Sequence, residues 1–156
     1  MVAGSYLAIQ RSWKPGDEIR LTLPMLVRRV EAHPSVAENG ARVALMRGPL
    51  LYCAEEVDNI ETDLRTVIPE EPSEFESRFE SDVLGGVVTL SAPAIEIESM
   101  SAWRNTLYRE KYSAGLDFPV AKTLELVPYF AWANREPGRM RVWIGHKRSP
   151  GLWEVI

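Results

Sequence analysis

Between Lys14-Pro15-Gly16-Asp17 and Pro24, six residues alternate without a fault: Ile19, Leu21 and Leu23 to one side, Glu18, Arg20 and Thr22 to the other. Successive side chains of an extended chain point to opposite faces, so this pattern makes one apolar and one wet face. That is the signature of a half-buried antiparallel strand. Pro15-Gly16 fits the two central positions of a type II turn, and Tyr6 to Trp13 alternates imperfectly before it, so the pair is expected as a hairpin. The same grammar recurs in Val27 to His33, Ala41 to Arg47, Leu50 to Glu55, Val87 to Leu90, Ile95 to Glu98, Lys122 to Val127 and Met140 to Ile144. Asn39-Gly40, Gly48-Pro49, Gly85-Gly86 and Glu136-Pro137-Gly138 punctuate these runs. Asn39-Gly40 is the strongest tight-turn dipeptide. Pro49 has no N–H to donate and belongs at a bulge or a strand start. Pro128 interrupts its run, which Tyr129 to Ala133 is expected to continue. Strands at roughly eight-to-twelve-residue spacing without a long helix predict an all-β fold. The expected form is an antiparallel β-sandwich, jelly-roll-like, as one unit or as two small packed sandwiches.

Two stretches are less legible. In the acidic segment Val57 to Ser81, Ser73 and Glu76 fit a capping box, and Phe75 with Phe79 fits helical spacing. The same two phenylalanines also fit period two, so a short helix and a strand both stay open. Ser99 to Pro119 reads as a long loop carrying aromatics, and loops of that length are often functional or meet a neighbour.

Composition narrows the partners. The 156 residues are 46% hydrophobic and 26% charged, enough for one ordinary globular domain. A net charge of −4 without a basic stripe argues against nucleic acid. No run is apolar enough for a membrane span, and Met1 to Trp13 lacks the pattern of a secretory signal, so a cytoplasmic location is the default expectation. Cys53 is the only cysteine, which excludes an intrachain disulfide and a thiolate metal site within one chain.

Several pieces, in order, resemble a known family. They are Tyr6-Leu7-Ala8-Ile9-Gln10-Arg11-Ser12-Trp13, Gly16-Asp17, Leu23-Pro24-Met25, Arg47-Gly48-Pro49-Leu50-Leu51-Tyr52-Cys53, Leu84-Gly85-Gly86-Val87, Pro128-Tyr129-Phe130-Ala131-Trp132-Ala133-Asn134-Arg135 and Met140-Arg141-Val142-Trp143. Together they resemble the region after the catalytic barrel in glycoside hydrolase family 127, the β-L-arabinofuranosidase family. In that family an α/α barrel carries a zinc-held cysteine nucleophile with further cysteines and a glutamate, and β-sandwich domains follow. None of the barrel motifs occurs here, so the nucleophile role is not transferred to Cys53. The resemblance implies a partial first sandwich over 1–56 and a second over 57–156, with the strand near 140–144 returning to the first. It implies a non-catalytic module whose partners are a glycoside hydrolase barrel or a second copy of itself. A sandwich lacking its first strands leaves an apolar face and an edge that invite such a homo-oligomer.

Candidate chemistry is sparse. Cys53, between Tyr52 and Ala54, reads as a small buried hydrophobe. His33 reads as a strand end and His146 as part of a basic tail with Lys147 and Arg148, and the two are too far apart for a local metal motif. Glu55-Glu56, Glu70-Glu71 and Glu96/Glu98 are carboxylate pairs, as glycoside hydrolysis uses. Glu96 and Glu98 are expected on a solvent face, opposite Ile95 and Ile97. No cofactor and no metal site are expected. The aromatic set is the remaining candidate. Tyr129, Trp132, Asn134 and Arg135, with Trp103 from the long loop, could bind an oligosaccharide, because sugars pack their C–H faces on rings while amides and guanidiniums bind their hydroxyls. The alternative is that Trp132 fills the core while Asn134 and Arg135 organise a turn.

Overall fold

The computed structural model describes residues 4–70, 74–97, 107–108 and 119–146. Among them are nine strands, joined into one sheet in which every pairing is antiparallel. The strands are β1 (Val27–Glu31), β2 (Arg42–Arg47), β3 (Leu50–Glu55), β4 (Val67–Pro69), β5 (Glu76–Glu80), β6 (Val87–Glu96), β7 (Val120–Pro128), β8 (Met140–Arg141) and β9 (Trp143–Gly145). The main path runs β1-β2-β3-β7-β6-β4, with β5 on β6, β8 on β3 and β9 on β2. Two short 3₁₀ turns, Ala37–Asn39 and Tyr129–Ala131, are the helical elements among the described residues. The all-β antiparallel expectation holds, and the sheet is curled.

The curl follows from how β2 and β3 divide their partners. The end of β2 pairs with β3 (Met46↔Leu51, Arg47↔Leu50), while its start pairs with β9 (Arg42↔Gly145, Val43↔Ile144, Ala44↔Trp143). β3 leaves β2, meets β7 at Tyr52↔Pro128 and Cys53↔Val127, and then β8 at Ala54↔Arg141 and Glu55↔Met140. β9 in turn lies close against β4. A Cβ on Gly145 would sit 2.9 Å from both the Val67 carbonyl oxygen and Ile68 Cγ1, so only glycine fits that crossing.

The core fills the concave side. Val43, Leu45, Tyr52, Ala54, Val67, Leu90, Ala94, Leu124, Leu126 and Ile144 form one buried cluster with Leu64. These positions alternate along β2, β3, β6 and β7, as the pleat requires. Tyr52 spans the layer and donates its hydroxyl to the Val88 carbonyl at 2.8 Å. β3 is buried on both faces from Tyr52 to Glu55, because the loop after β7 covers its outer side.

Local chemistry explains the strand limits. Gly48, with φ +56°, opens the two-residue loop between β2 and β3 and Pro49 closes it, as a II′-type hairpin requires. Pro93 lies inside β6, between the last residue that pairs with β5 (Ser91) and the first that pairs with β4 (Ala94). Its missing N–H therefore falls in a gap between neighbours, and its carbonyl accepts from Glu70 N–H at 2.9 Å.

Four local expectations need correction. The Lys14 to Asp17 turn forms, with Asp17 N–H donating to the Lys14 carbonyl at 3.1 Å, but residues 6–13 and 18–23 are not strands. Ile19, Leu21 and Leu23 are 64%, 72% and 70% exposed, since no described segment covers their apolar face and a lone hairpin is marginal in water. Asn39-Gly40 does not make a tight hairpin turn. Asn39 ends a 3₁₀ turn and Ala41, not Gly40, takes positive φ. Tyr129 to Ala133 does not extend β7: Pro128 has no N–H for the ladder and the chain turns into the 3₁₀ segment. Met140 to Ile144 is not one strand but two, β8 and β9, broken at Val142 where the partner changes from β3 to β2.

The short helix does not form, but Phe75 and Phe79 do not share a face as period two would place them. β5 is a strand. Phe75 packs against the core under the Arg29 guanidinium, and Phe79 is exposed. Ser73, Glu71, Glu98, Trp103, Trp153, Lys147 and Arg148 lie outside the described residues, as does most of the long loop. No described helix is long and apolar enough to cross a membrane.

Candidate functional site

The loop between β7 and β8 carries four of the five candidate binding residues. Tyr129 and Trp132 stand 42% and 41% exposed, with ring centroids 5.9 Å apart and planes inclined by 25°. Asn134 donates its side-chain amide to the Trp132 carbonyl at 3.0 Å and so shapes the turn. Ala133 between them has φ +58°, a left-handed conformation that costs a non-glycine residue energy. The buried Glu55 carboxylate holds it there, accepting from Ala133 N–H at 3.0 Å. Trp103, the fifth candidate, lies outside the described residues.

Arg135 is tied into the fold. Its guanidinium donates to Glu55 at 2.6 Å and to Asp58 through both terminal nitrogens. Its hydrogen bond to Asp58 and, less so, that to Glu55 raise its pKa further, against the opposing effect of burial. Charge-assisted bonds of this kind are the strong ones. Asn59 stitches the same corner, bonding the Glu55 carbonyl at 2.7 Å and both backbone groups of Glu125. The sequence reading missed Glu55 and Asp58 as partners of Arg135. Their separation in the chain hides them; the one local signal was an acidic residue at the end of an otherwise apolar strand.

The carboxylate pairs do not converge. Glu55 turns inward to Arg135, whereas Glu56, next in the chain, turns outward to Arg139 at 2.7 Å. Glu96 corrects the expected face. It is 7% exposed and sits 3.7 Å from Lys122, while Ile97 is exposed. Leu90, Ala92 and Ala94 set the phase of β6, and Glu96 inherits their inward side. Glu70 is described, its partner Glu71 is not. His33 accepts from Ser35 N–H through Nδ1, and His146 Nε2 lies 4.0 Å from Glu31, so each has its own neighbours.

Arg139 bonds hold the Glu56 carboxyl near a pKa of about 2. A depressed carboxylate favours the fold above its ordinary pKa, near 4.5, and that contribution disappears as pH falls toward 2. Acid titration followed by side-chain NMR is expected to show Glu56 protonating near the bottom of that window. An ordinary carboxylate midpoint would contradict the pairing.

Cys53 is fully buried. Burial, with lesser effects from Glu55 and Asp58, pushes its thiol up to about 12. A nucleophile needs the opposite shift. Among the described residues no group of three or more His, Cys, Asp or Glu side chains is placed to hold a metal ion. A single buried thiol of this kind does not fit the cysteine-rich zinc set that the resemblance puts in the barrel. In native protein Cys53 is expected to resist a thiol-specific chromogenic reagent at mild alkaline pH and to react fully once the chain is unfolded. Rapid reaction of the native chain would refute its burial.

Fold and site together define an antiparallel β domain in which Glu55, Asp58 and Glu56 are paired with arginines of the same chain. Residues 27–145, from the start of β1 to the end of β9, match the model of the glycoside hydrolase family 127 C-terminal domain. The chain belongs to that family. It is 42% identical over 128 residues to the non-reducing end β-L-arabinofuranosidase of Bifidobacterium longum subsp. longum, covering 80% of this chain and 19% of that protein. The crystal structure of a GH127 β-L-arabinofuranosidase from Geobacillus stearothermophilus T6 superposes with a TM-score of 0.66 at 38% identity, covering 80% of this chain and 19% of that one. A second GH127 β-arabinofuranosidase structure superposes with a TM-score of 0.64 at 28% identity, covering 79% and 17%. The chain thus spans about a fifth of the length of the relatives it matches.

Proposed function

We propose that this chain is a non-catalytic β module of a family 127-type protein, serving to brace a catalytic barrel and to build contacts between subunits. The observation that carries this reading is the set of exposed apolar residues before β1. Leu7, Ile9, Ile19, Leu21, Leu23 and Leu26 are all exposed. Large exposed apolar surface marks an interaction site. The charged residues near the candidate site are meanwhile spent within the fold, as Glu55 and Asp58 are on Arg135 and Glu56 is on Arg139. Light scattering of the purified chain across a concentration series tests the assembly part. Mass rising with concentration, and falling to the monomer in the Leu21→Asp, Leu23→Asp variant, is expected; a concentration-independent monomer overturns it. The purified chain is also expected to release no arabinose from an arabinofuranosyl substrate. Release that disappears in Cys53→Ala would reverse the non-catalytic reading.

One observation favours a second reading, carbohydrate binding. Tyr129 and Trp132 present two half-exposed, stacked rings on a loop that buried Glu55 holds rigid. Aromatic platforms of this kind suit the apolar faces of sugars. Titration with arabinan oligosaccharides that gives neither heat nor a tryptophan fluorescence change would rule it out.

A further inference from the structure

Beside the Tyr129 to Arg135 loop, on the sheet face opposite the core, lies a cavity of about 360 Å³. Asp58, Arg78, Glu80, Thr89, Glu125 and Arg135 line it. This brings together side chains from β5, β6 and β7 with the turn after β3, which no sequence motif connects. Its size is near the lower end of the roughly 300–1,000 Å³ that ligand pockets span, room for one small ring rather than a chain.

The lining selects a ligand class. Both guanidiniums are already paired, Arg135 with Asp58 and Glu55, and Arg78 with Glu80. An anion would therefore meet three carboxylates and no uncommitted cation. An apolar ligand would leave those charges desolvated. Glu125 is different: its backbone is fixed by Asn59, but its carboxyl makes no hydrogen bond or ion pair among the described residues. It is half-buried and offers acceptors to whatever enters. Thr89 adds a hydroxyl, which reaches only weakly to the Arg78 carbonyl at 3.3 Å. Acceptors and donors interleaved in this way match vicinal hydroxyls, which donate to carboxylates and accept from guanidinium N–H groups.

We propose that this cavity is a monosaccharide subsite, in which Glu125 accepts from the hydroxyls of a single pentose-sized ring and Arg78, whose Nε faces Glu80, donates from its terminal nitrogens to them, while Tyr129 and Trp132 pack the adjoining unit of a longer saccharide. Burial raises the Glu125 pKa, Arg78 partly offsets this, and Asp58 and Glu80 add to the rise. The ligand class rests on the carbohydrate reading above; the position of the subsite does not.

The test is calorimetric titration of the full 156-residue chain with L-arabinose, an arabinofuranosyl disaccharide and putrescine. The expected result is binding of both sugars, weakened about tenfold or more by Glu125→Ala, as loss of a charged hydrogen-bonding partner predicts. Arg78→Ala, at an exposed strand position that does not threaten folding, should weaken the sugars in the same direction. Trp132→Ala should weaken the disaccharide and spare the monosaccharide. If neither sugar binds the parent chain, both the cavity and the platform fall. If binding survives Glu125→Ala and Arg78→Ala but not Trp132→Ala, the platform stands and the cavity proposal is overturned. Putrescine bound in place of the sugars also overturns it, because Glu125 would then be an amine site.

Discussion

Arg135→Ala is expected to destabilise the chain by about 3 kcal/mol or more, the usual scale when one partner of a buried ion pair is removed. For a domain of this size that is a fall in Tm of roughly 6–12 °C. The reason is what stays behind. Glu55 is 4% exposed, and among the described residues Ala133 N–H is what remains beside its charge without the guanidinium. Ala133 would lose part of the anchor that holds its positive φ. Arg135→Lys should recover only a fraction, since one ammonium cannot fork to Glu55 and Asp58 together. Asp58→Asn, at a more open position, should cost less than Arg135→Ala. Thermal unfolding followed by circular dichroism measures all three. A loss below about 1 kcal/mol for Arg135→Ala would mean that the network behaves as an ordinary surface pair.

Leu90→Ala should rank beside it, at about 3 kcal/mol within the 2–5 kcal/mol range of large-to-small core changes. Leu90 is fully buried, directly opposite Leu126 on the neighbouring strand, in the longest pairing of the sheet. Truncation loses transfer energy and leaves a void that a two-strand contact cannot close by shifting one side chain. Leu90→Met keeps the volume and should cost under about 1.5 kcal/mol. Urea unfolding is the measurement, with the midpoint lowered and the slope unchanged. Equal midpoints for the alanine and methionine variants would place Leu90 outside the core.

What could be read from the chain follows the reach of each signal. Period two along Ala41 to Glu55 and Lys122 to Val127 is local physics, and β2, β3 and β7 lie where it puts them. It failed at Glu18 to Leu23, where the pattern is cleanest, because alternation makes a strand competent to pair without supplying a neighbour. It misplaced Glu96 because the phase of β6 is set upstream, across Pro93, which looks in sequence like an end. The aromatic loop was visible as a cluster of types. Its geometry was not, since the Glu55 and Asp58 that fix Arg135 come from β3 and the turn after it, adjacent in space but far back in the chain. The cavity was invisible for the same reason: Arg78, Thr89 and Glu125 are neighbours only after β5, β6 and β7 are laid side by side.

The return of β8 and β9 to β3 and β2 bears on how the chain is made. Ala44 finds Trp143 only about a hundred residues later, so the contacts that finish the curl are among the most distant in the molecule. A nascent chain released as far as Ala131 holds both β2 and β3 but neither of their last partners. Synthesis therefore passes through a period in which β2 has β1 and β3 has β7, but the two short strands that complete the curl have not yet been made.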